Sequence, residues 1–272
     1  MSTVETRVVP PESAENLPPN DAPAYPRFAR TSYADFFESL LITILLALFG
    51  TTFILQAFKI PSQSMEPTLL VGDHLLVNKF IFGGTGAWYE KFLPYRPVRH
   101  GDIIVFKFPF DDHPHYVKRV IGLPGDHIRI INQRVFVNGS LLNEPYVVHD
   151  PAQDDSFADN FPPVNDDFSR FSLRPEWAEQ IMNSVHNAAL IVPPDNYFVM
   201  GDNRDRSWDS RYWGFVSRSA IMGRPMVIYW SVEATAEDYN DRSLLGTIRG
   251  IEDGLTHLTT RTRWHRMLRE VH

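Results

Sequence analysis

The chain has 272 residues, 43% of them hydrophobic, which is enough to bury one sizeable core with a smaller satellite. Its formal charge of -7 argues against a nucleic-acid binder, which needs a basic surface to grip phosphates. There is no cysteine, so disulfides, thiolate metal sites and cysteine nucleophiles are excluded together. In chain order, residues 1–35 carry Pro10, Pro11, Pro18, Pro19, Pro23 and Pro26 among Ser, Asn and Glu. That composition predicts a disordered arm, because it cannot offset the entropy of ordering.

Residues 39–58, SLLITILLALFGTTFILQAF, are uncharged, and their number, about 20, is what a helix needs to cross a hydrocarbon core of ~30 Å. The run predicts one transmembrane anchor over 36–58, with a buried core helix as the other reading of the same length. A cleaved leader fits worse, since a long segment precedes the run and no small-x-small site follows it before Lys59. Arg27 and Arg30 outweigh Lys59 and favour a cytoplasmic N-terminus, with the body across the membrane.

Beyond the anchor the pattern changes to short β-branched and aromatic runs bounded by Gly, Pro or Asp: LLVNKF (75–80), DIIVFKF (102–108), YVKRVIGL (116–123), HIRII (127–131), RVFVNG (134–139) and MVIYW (226–230). They predict a mainly β, antiparallel body at 59–132 and 195–232. Gly-Asp pairs at Gly72, Gly101, Gly125 and Gly201 read as turns. An inserted smaller β-containing region at 133–194 starts with a hairpin around Asn138-Gly139. It continues through a Pro- and Asp-rich stretch (150–167) and a helix-like piece (176–187). The tail, 233–272, is basic near its end with Trp264, Met267 and Leu268 interspersed. It is read either as a segment resting on anionic lipid headgroups or as a terminal helix. Of the ten histidines, none stands in HExxH spacing, and His113 and His115 flank Pro114 in a loop-like stretch; they are read as solvated, with no metal and no cofactor expected.

Three clusters carry chemistry. In Pro61-Ser62-Gln63-Ser64-Met65-Glu66-Pro67 two prolines keep the backbone irregular, which fixes a hydroxyl rigidly; the plainer reading is a stiff loop with turn serines. A serine nucleophile needs a base. In Tyr116-Val117-Lys118-Arg119-Val120, strand alternation sends Lys118 and Arg119 to opposite faces, so one of them should point inward. Only Lys118 can lose its proton on burial; an outward, solvated lysine is the alternative. The third cluster, 201–214, crowds Asp202, Arg204, Ser207, Asp209 and Arg211 together. It reads as a charged surface turn or as a loop held by bidentate pairs that offers hydroxyls to a buried amine.

Taken in order, PSQSMEPTL (61–69) with GDHLLVNKF (72–80), YVKRVIGLPGD (116–126) and GDNRDRSWDSRYWGFV (201–216) resemble the serine, lysine and final boxes of the bacterial type I signal peptidases. These are membrane-bound Ser/Lys endopeptidases. The resemblance covers roughly 58–130 and 195–232, and leaves the arm and 150–192 unmatched. It implies a signal-peptidase-like antiparallel β catalytic domain in which Ser64 is nucleophile and Lys118 general base. The Ser64 N–H and the Ser62 hydroxyl would form the oxyanion hole. Ser207 and Tyr116 would orient the amine, and Asp209, Arg211, Asp202 and Arg204 would support it. Phe58, Ile60, Leu69 and Val117 would line pockets for small side chains at the first and third positions before the cut. The implied partners are preproteins with signal peptides, membrane lipids and the protein translocation machinery, in a bacterial inner membrane. Some family members carry two membrane helices before the serine box; this sequence offers one. A leader peptidase dedicated to one substrate, a non-catalytic anchored binding protein, and a soluble self-cleaving repressor-type protease are the competing readings.

Overall fold

In the computed structural model, which describes residues 32–83, 95–108, 115–150, 156–163, 173, 175–235 and 260–272, the apolar run divides into two kinds of structure. Helix α1 (Ser32–Phe49) takes the first part, Gly50–Ile54 wind as a π-helical turn, and Leu55 turns to extended backbone and opens strand β1 (Leu55–Lys59). This corrects the expectation of one helix over 36–58. Residues 55–58 find backbone partners in β2 (Asp73–Asn78), pairing Leu55 with Asn78 and Phe58 with Leu75, and that ladder decides their conformation. The apolar α-helical part, 39–49, rises about 16 Å at ~1.5 Å per residue, roughly half a hydrocarbon core of ~30 Å. Among the described residues no helix is long and apolar enough to cross a membrane. The side chains of α1 are nonetheless exposed, Phe36, Leu41, Leu45, Leu46 and Phe49 among them. The expected disordered arm lies, but for its last residues, outside the described part.

Chain contacts gather into two units, Met1–Leu46 and Ala47–His272. The second holds all the β structure. After β1 and β2 come β3 (Ile103–Lys107), β4 (His115–Gly122), β5 (His127–Ile131), β6 (Arg134–Val137) and β7 (Ser140–Leu141). Two short helices follow, α2 (Ser156–Asp159) and α3 (Pro175–Ser184), then β8 (Val185–His186), β9 (Ala189–Ile191) and β10 (Asn196–Met200). The chain finishes through α4 (Ser210–Trp213), β11 (Val216–Ser217), β12 (Ile221–Ser231) and β13 (Arg269–Glu270).

Two antiparallel sheets result. The larger runs β1-β2-β12-β3-β4-β10-β11, with β13 also on β12; the smaller runs β7-β6-β5-β9-β8. Long β12 serves two partners: Ile221 and Gly223 pair with β3, and 224–231 pair with β2 across bulges near Pro225 and Ile228. A proline is tolerated there because a bulge needs no ladder N–H from it. The smaller sheet already begins at β5, earlier than the expected insertion. Its hairpin turns on Asn138 (φ 53) and Gly139 (φ 79), the positive pair that a two-residue turn requires. Its core takes Phe157 and Phe161 from the Pro- and Asp-rich stretch and Trp177 and Ile181 from α3.

Three of the Gly-Asp pairs build one corner repeatedly. Gly72, Gly101 and Gly125 all have positive φ, which a side chain would strain. The following Asp N–H bonds back to the carbonyl of Leu70, Arg99 or Leu123, and the same Asp carboxylate accepts the N–H of that residue. Each carboxylate also takes a cationic or basic partner: Arg266 for Asp73, Arg96 for Asp102 and His100 for Asp126. Arg266 comes from the described end of the tail, 260–272, which forms no α-helix: one 3-10 turn (Trp264–Arg266) precedes β13, and the Arg266 side chain is buried against Asp73.

Candidate active site

Ser64 sits in a 3-10 turn (Gln63–Met65) just past β1, and its loop is tied down on both flanks. Ile60 exchanges backbone hydrogen bonds with Asp73 and Gly72, and the Ser64 carbonyl accepts the N–H of Asn203 at 3.2 Å. Met65 and Leu69 sink into the core below, so the turn cannot rotate and the Ser64 hydroxyl keeps one direction. The Ser62 hydroxyl lies 3.4 Å from it.

Lys118 lies in β4 opposite Ile104, and its Nζ is hydrogen-bonded to Ser64 Oγ at 2.6 Å. The side chain is 2% exposed. Burial is the main reason its pKa falls from 10.5 to about 8; Asp209 and Asp202 pull it back up and Arg211 pushes it down. Its Nζ stands 5.8 Å from the Tyr116 ring, which stacks in turn on Phe108. Strand alternation placed Lys118 and Arg119 correctly on opposite faces, but both faces are covered, so the expectation of a single inward cation fails. Arg119 is also buried, forks onto both oxygens of Asp202 at 2.8 and 2.7 Å, and lies 3.8 Å above the Tyr146 ring.

The 201–211 loop closes the site from above. Gly201 has no room for a side chain: an added Cβ would stand 2.3 Å from Ser207 Oγ and 2.4 Å from the Ser64 carbonyl oxygen. Its N–H donates to Asp209 at 3.0 Å. Arg211 grips the fully buried Asp209 through Nε and Nη2 and reaches the Arg204 carbonyl. Burial alone would raise the Asp209 pKa, but the Arg211 charge and hydrogen bond and the Gly201 N–H hold it low. The buried Ser207 hydroxyl is near enough to Asp209 to add to that lowering, yet makes no hydrogen bond of good geometry. It is therefore available to a neighbouring amine. Asp202 does not pair with Arg204: it takes Arg119 and the Thr68 hydroxyl, while Arg204 forks onto Glu144. This fourth Gly-Asp pair thus belongs to the site rather than to a turn.

Ile60 and Leu69 are buried in one cluster with Phe58 and Val117 on its partly open side. Only Phe58 and Val117 have surface to offer a bound side chain; Ile60 and Leu69 form the floor. On the outer rim, Arg206 donates to Gln63 Oε1 and to Asp150 Oδ2, both at 2.9 Å. Gln63, Glu144, Thr68 and Asp150 escaped the sequence reading because their partners lie 143, 60, 134 and 56 positions away, respectively. Only the charge density of 202–211 hinted that such partners were needed.

Two strand edges face this centre. Among the described residues β1 is an edge strand, paired only with β2; β4 meets β3 along 115–119 but meets β10 only from Arg119 on. The Phe58 and His115 rings touch at 5.3 Å, so the two open edges lie close together beside Ser64 and Lys118.

The chain is 32% identical to signal peptidase I of Pseudomonas aeruginosa over 254 residues, 85% of this chain and 81% of that protein. It is 34% identical to a probable signal peptidase I-2 of a Synechocystis strain, covering 72% of each. A crystal structure of a signal peptidase I from Enterococcus faecalis V583 aligns with a TM-score of 0.32 and 28% identity over 47% of this chain and 97% of that one. The model of the signal peptidase family, peptidase S26, matches residues 33–230. The chain belongs to that family.

Proposed function

We propose that this chain is a membrane-bound serine endopeptidase that removes signal peptides from exported preproteins, with Ser64 as nucleophile and Lys118 as general base. The observation that carries the reading is the 2.6 Å hydrogen bond between Ser64 and a buried amine whose pKa is lowered to about 8. A protonated ammonium cannot accept the serine proton; burial supplies the neutral form without a histidine. A preprotein enters as an added strand between the open edges of β1 and β4, and small side chains before the cut pack against Phe58 and Val117, above the floor that Ile60 and Leu69 form.

Lys118 takes the Ser64 proton as Oγ attacks the scissile carbonyl. The oxyanion is received by the Ser64 N–H and the Ser62 hydroxyl, donors aimed at charge that develops only in the transition state. Collapse breaks the C–N bond, and Lys118 returns the proton to the departing amine of the mature protein. Lys118 then draws a proton from water as it attacks the acyl ester, and returns that proton to Ser64 Oγ as the ester bond breaks, restoring the pair, while the signal peptide leaves as a carboxylate once its acid proton passes to solvent. Ser207 and Tyr116 hold the amine between these steps, and Asp209, Arg211 and the Asp202–Arg119 pair keep their loop in place.

The exposed apolar side chains of α1 support membrane anchoring, and in the sequence β1 and Ser64 follow a few residues on. The N-terminus lies in the cytoplasm, the catalytic body on the far side of the inner membrane, next to lipid and the translocation machinery. The test is cleavage of a preprotein in detergent or lipid by the intact chain and by Ser64→Ala and Lys118→Met. Cleavage after a small residue, lost in both variants, with kcat/KM rising through about pH 8, is the expected result. Cleavage that survives loss of Ser64, or a rate flat between pH 6 and 9 (roughly, the range over which an amine of this kind titrates), rejects the dyad.

A further inference from the structure

We propose that Arg206, outside the dyad and its buried supports, is a positioning residue that holds the oxyanion-hole turn in its working geometry by gripping Gln63; the proposal rests on the reading of Ser62 and Ser64 given above. Gln63 stands between the two residues that supply the oxyanion donors, and it is exposed, so no core contact fixes it. Arg206 reaches it from outside. The guanidinium is planar, and two of its nitrogens engage Gln63 Oε1 and Asp150 Oδ2 at once, both at 2.9 Å, so the position of one partner dictates that of the other.

Asp150 is itself anchored. Its N–H donates to Asp205 at 2.5 Å, His149 stands 3.5 Å from the same carboxylate, and Val148 exchanges backbone hydrogen bonds with the loop at Asp202 and Arg204. The segment 144–150, leaving the smaller sheet, therefore lies as a strap along 202–206. From below, the same loop holds Ser64 through the Asn203 N–H. The turn is gripped from two sides: Asn203 fixes the nucleophile's carbonyl, and Arg206 fixes the side chain one residue earlier. Without the outer grip, the exposed Ser62–Gln63 side of the turn can shift relative to the developing oxyanion even while Ser64 and Met65 stay in place, and the oxyanion binds its donors only within a narrow range of positions.

The physics separates this role from a merely structural one. Arg206 is 47% exposed, and an exposed pair of this kind contributes little to folding stability, so its loss should leave the melting temperature in place. The effect should fall on kcat and on transition-state binding. Arg206→Ala and Gln63→Ala are each expected to lower kcat about tenfold, less than outright removal of an oxyanion donor, with KM unchanged and inhibition by a peptide aldehyde weakened in step. Because both act through one contact, the double variant should be no slower than either single one.

The full chain in detergent, a preprotein substrate and a peptide aldehyde are sufficient. An intact chain that cleaves nothing rejects the peptidase reading itself. An intact chain that cleaves, with variants whose losses multiply, whose KM alone changes, whose kcat is unaltered, or whose melting temperature falls, overturns the role assigned to Arg206.

Discussion

Replacing Lys118 by methionine should abolish cleavage and at the same time make the protein more stable. The amine is enclosed, and its pKa lies at about 8 instead of 10.5 chiefly because burial strips its water. At about 1.4 kcal/mol per pKa unit, keeping the charged form in that site costs the folded chain about 3 kcal/mol at neutral pH. Methionine matches the length of the stem and carries no charge. Losing the hydrogen bond to Ser64 returns about 1 kcal/mol, which leaves a net gain of about 2 kcal/mol, or about 4–8 °C in melting temperature for a chain of this size. The pH dependence has a definite sign. The unfolded amine keeps its proton up to about 10.5 and the folded one releases it near 8, so between those values the unfolded chain binds more protons. Wild-type stability therefore rises with pH through that window, and the advantage of the methionine variant is full below about pH 8 and fades toward 10.5. Urea or thermal unfolding of both proteins at a series of pH values measures it. A methionine variant less stable than the wild type at pH 7, or an advantage unaffected by raising the pH, would refute the claim that desolvation lowers the pKa of Lys118.

Gly201→Ala should cost both activity and stability: its Cβ would press on Ser207 and on the Ser64 carbonyl, and a displacement of about 1 Å at a reacting group costs about a hundredfold in rate. Overpacking adds about 1–3 kcal/mol of destabilisation; a variant with wild-type kcat/KM would show that the two loops need not touch. Arg266→Ala leaves the fully buried Asp73 without its ion pair and should destabilise by about 3–5 kcal/mol in urea unfolding. A loss below about 1 kcal/mol would mean that Ser231 and the Leu70 N–H alone satisfy that carboxylate.

The strands were legible wherever one face is buried, because alternation and turn residues then agree: β4, β5 and β6 lie close to where their sequences put them. Ser64 and Lys118, the proposed catalytic pair, could be singled out because each stands in a dense local motif, and the fold brings them within 2.6 Å. The apolar run misled because hydrophobicity measures preference for a dry place and carries no information on whether that place is lipid or a sheet. For residues 55–58 the deciding fact is β2, which begins beyond the nucleophile loop. The tail misled for the same reason. Arg266 looks like any other basic residue until Asp73, 193 positions earlier, is brought beside it. Arg119 shows a subtler limit, since alternation gives the face a side chain takes but not what will cover that face.

The wiring of the Gly-Asp corners sets an order of events. The corners at Asp102 and Asp126 find their partners among residues made shortly before them, Arg96 and His100, and can close as soon as the chain appears. The corner beside the nucleophile loop must wait for Arg266, and Ser64 and Lys118 must wait for the 201–211 loop that steadies them. The catalytic centre is thus assembled from early parts and sealed by late ones. A half-made chain carries Ser64 and Lys118 but not the enclosure that lowers the amine's pKa, so, if these two are the dyad proposed above, proteolytic capacity arrives only once most of the polypeptide has been synthesised.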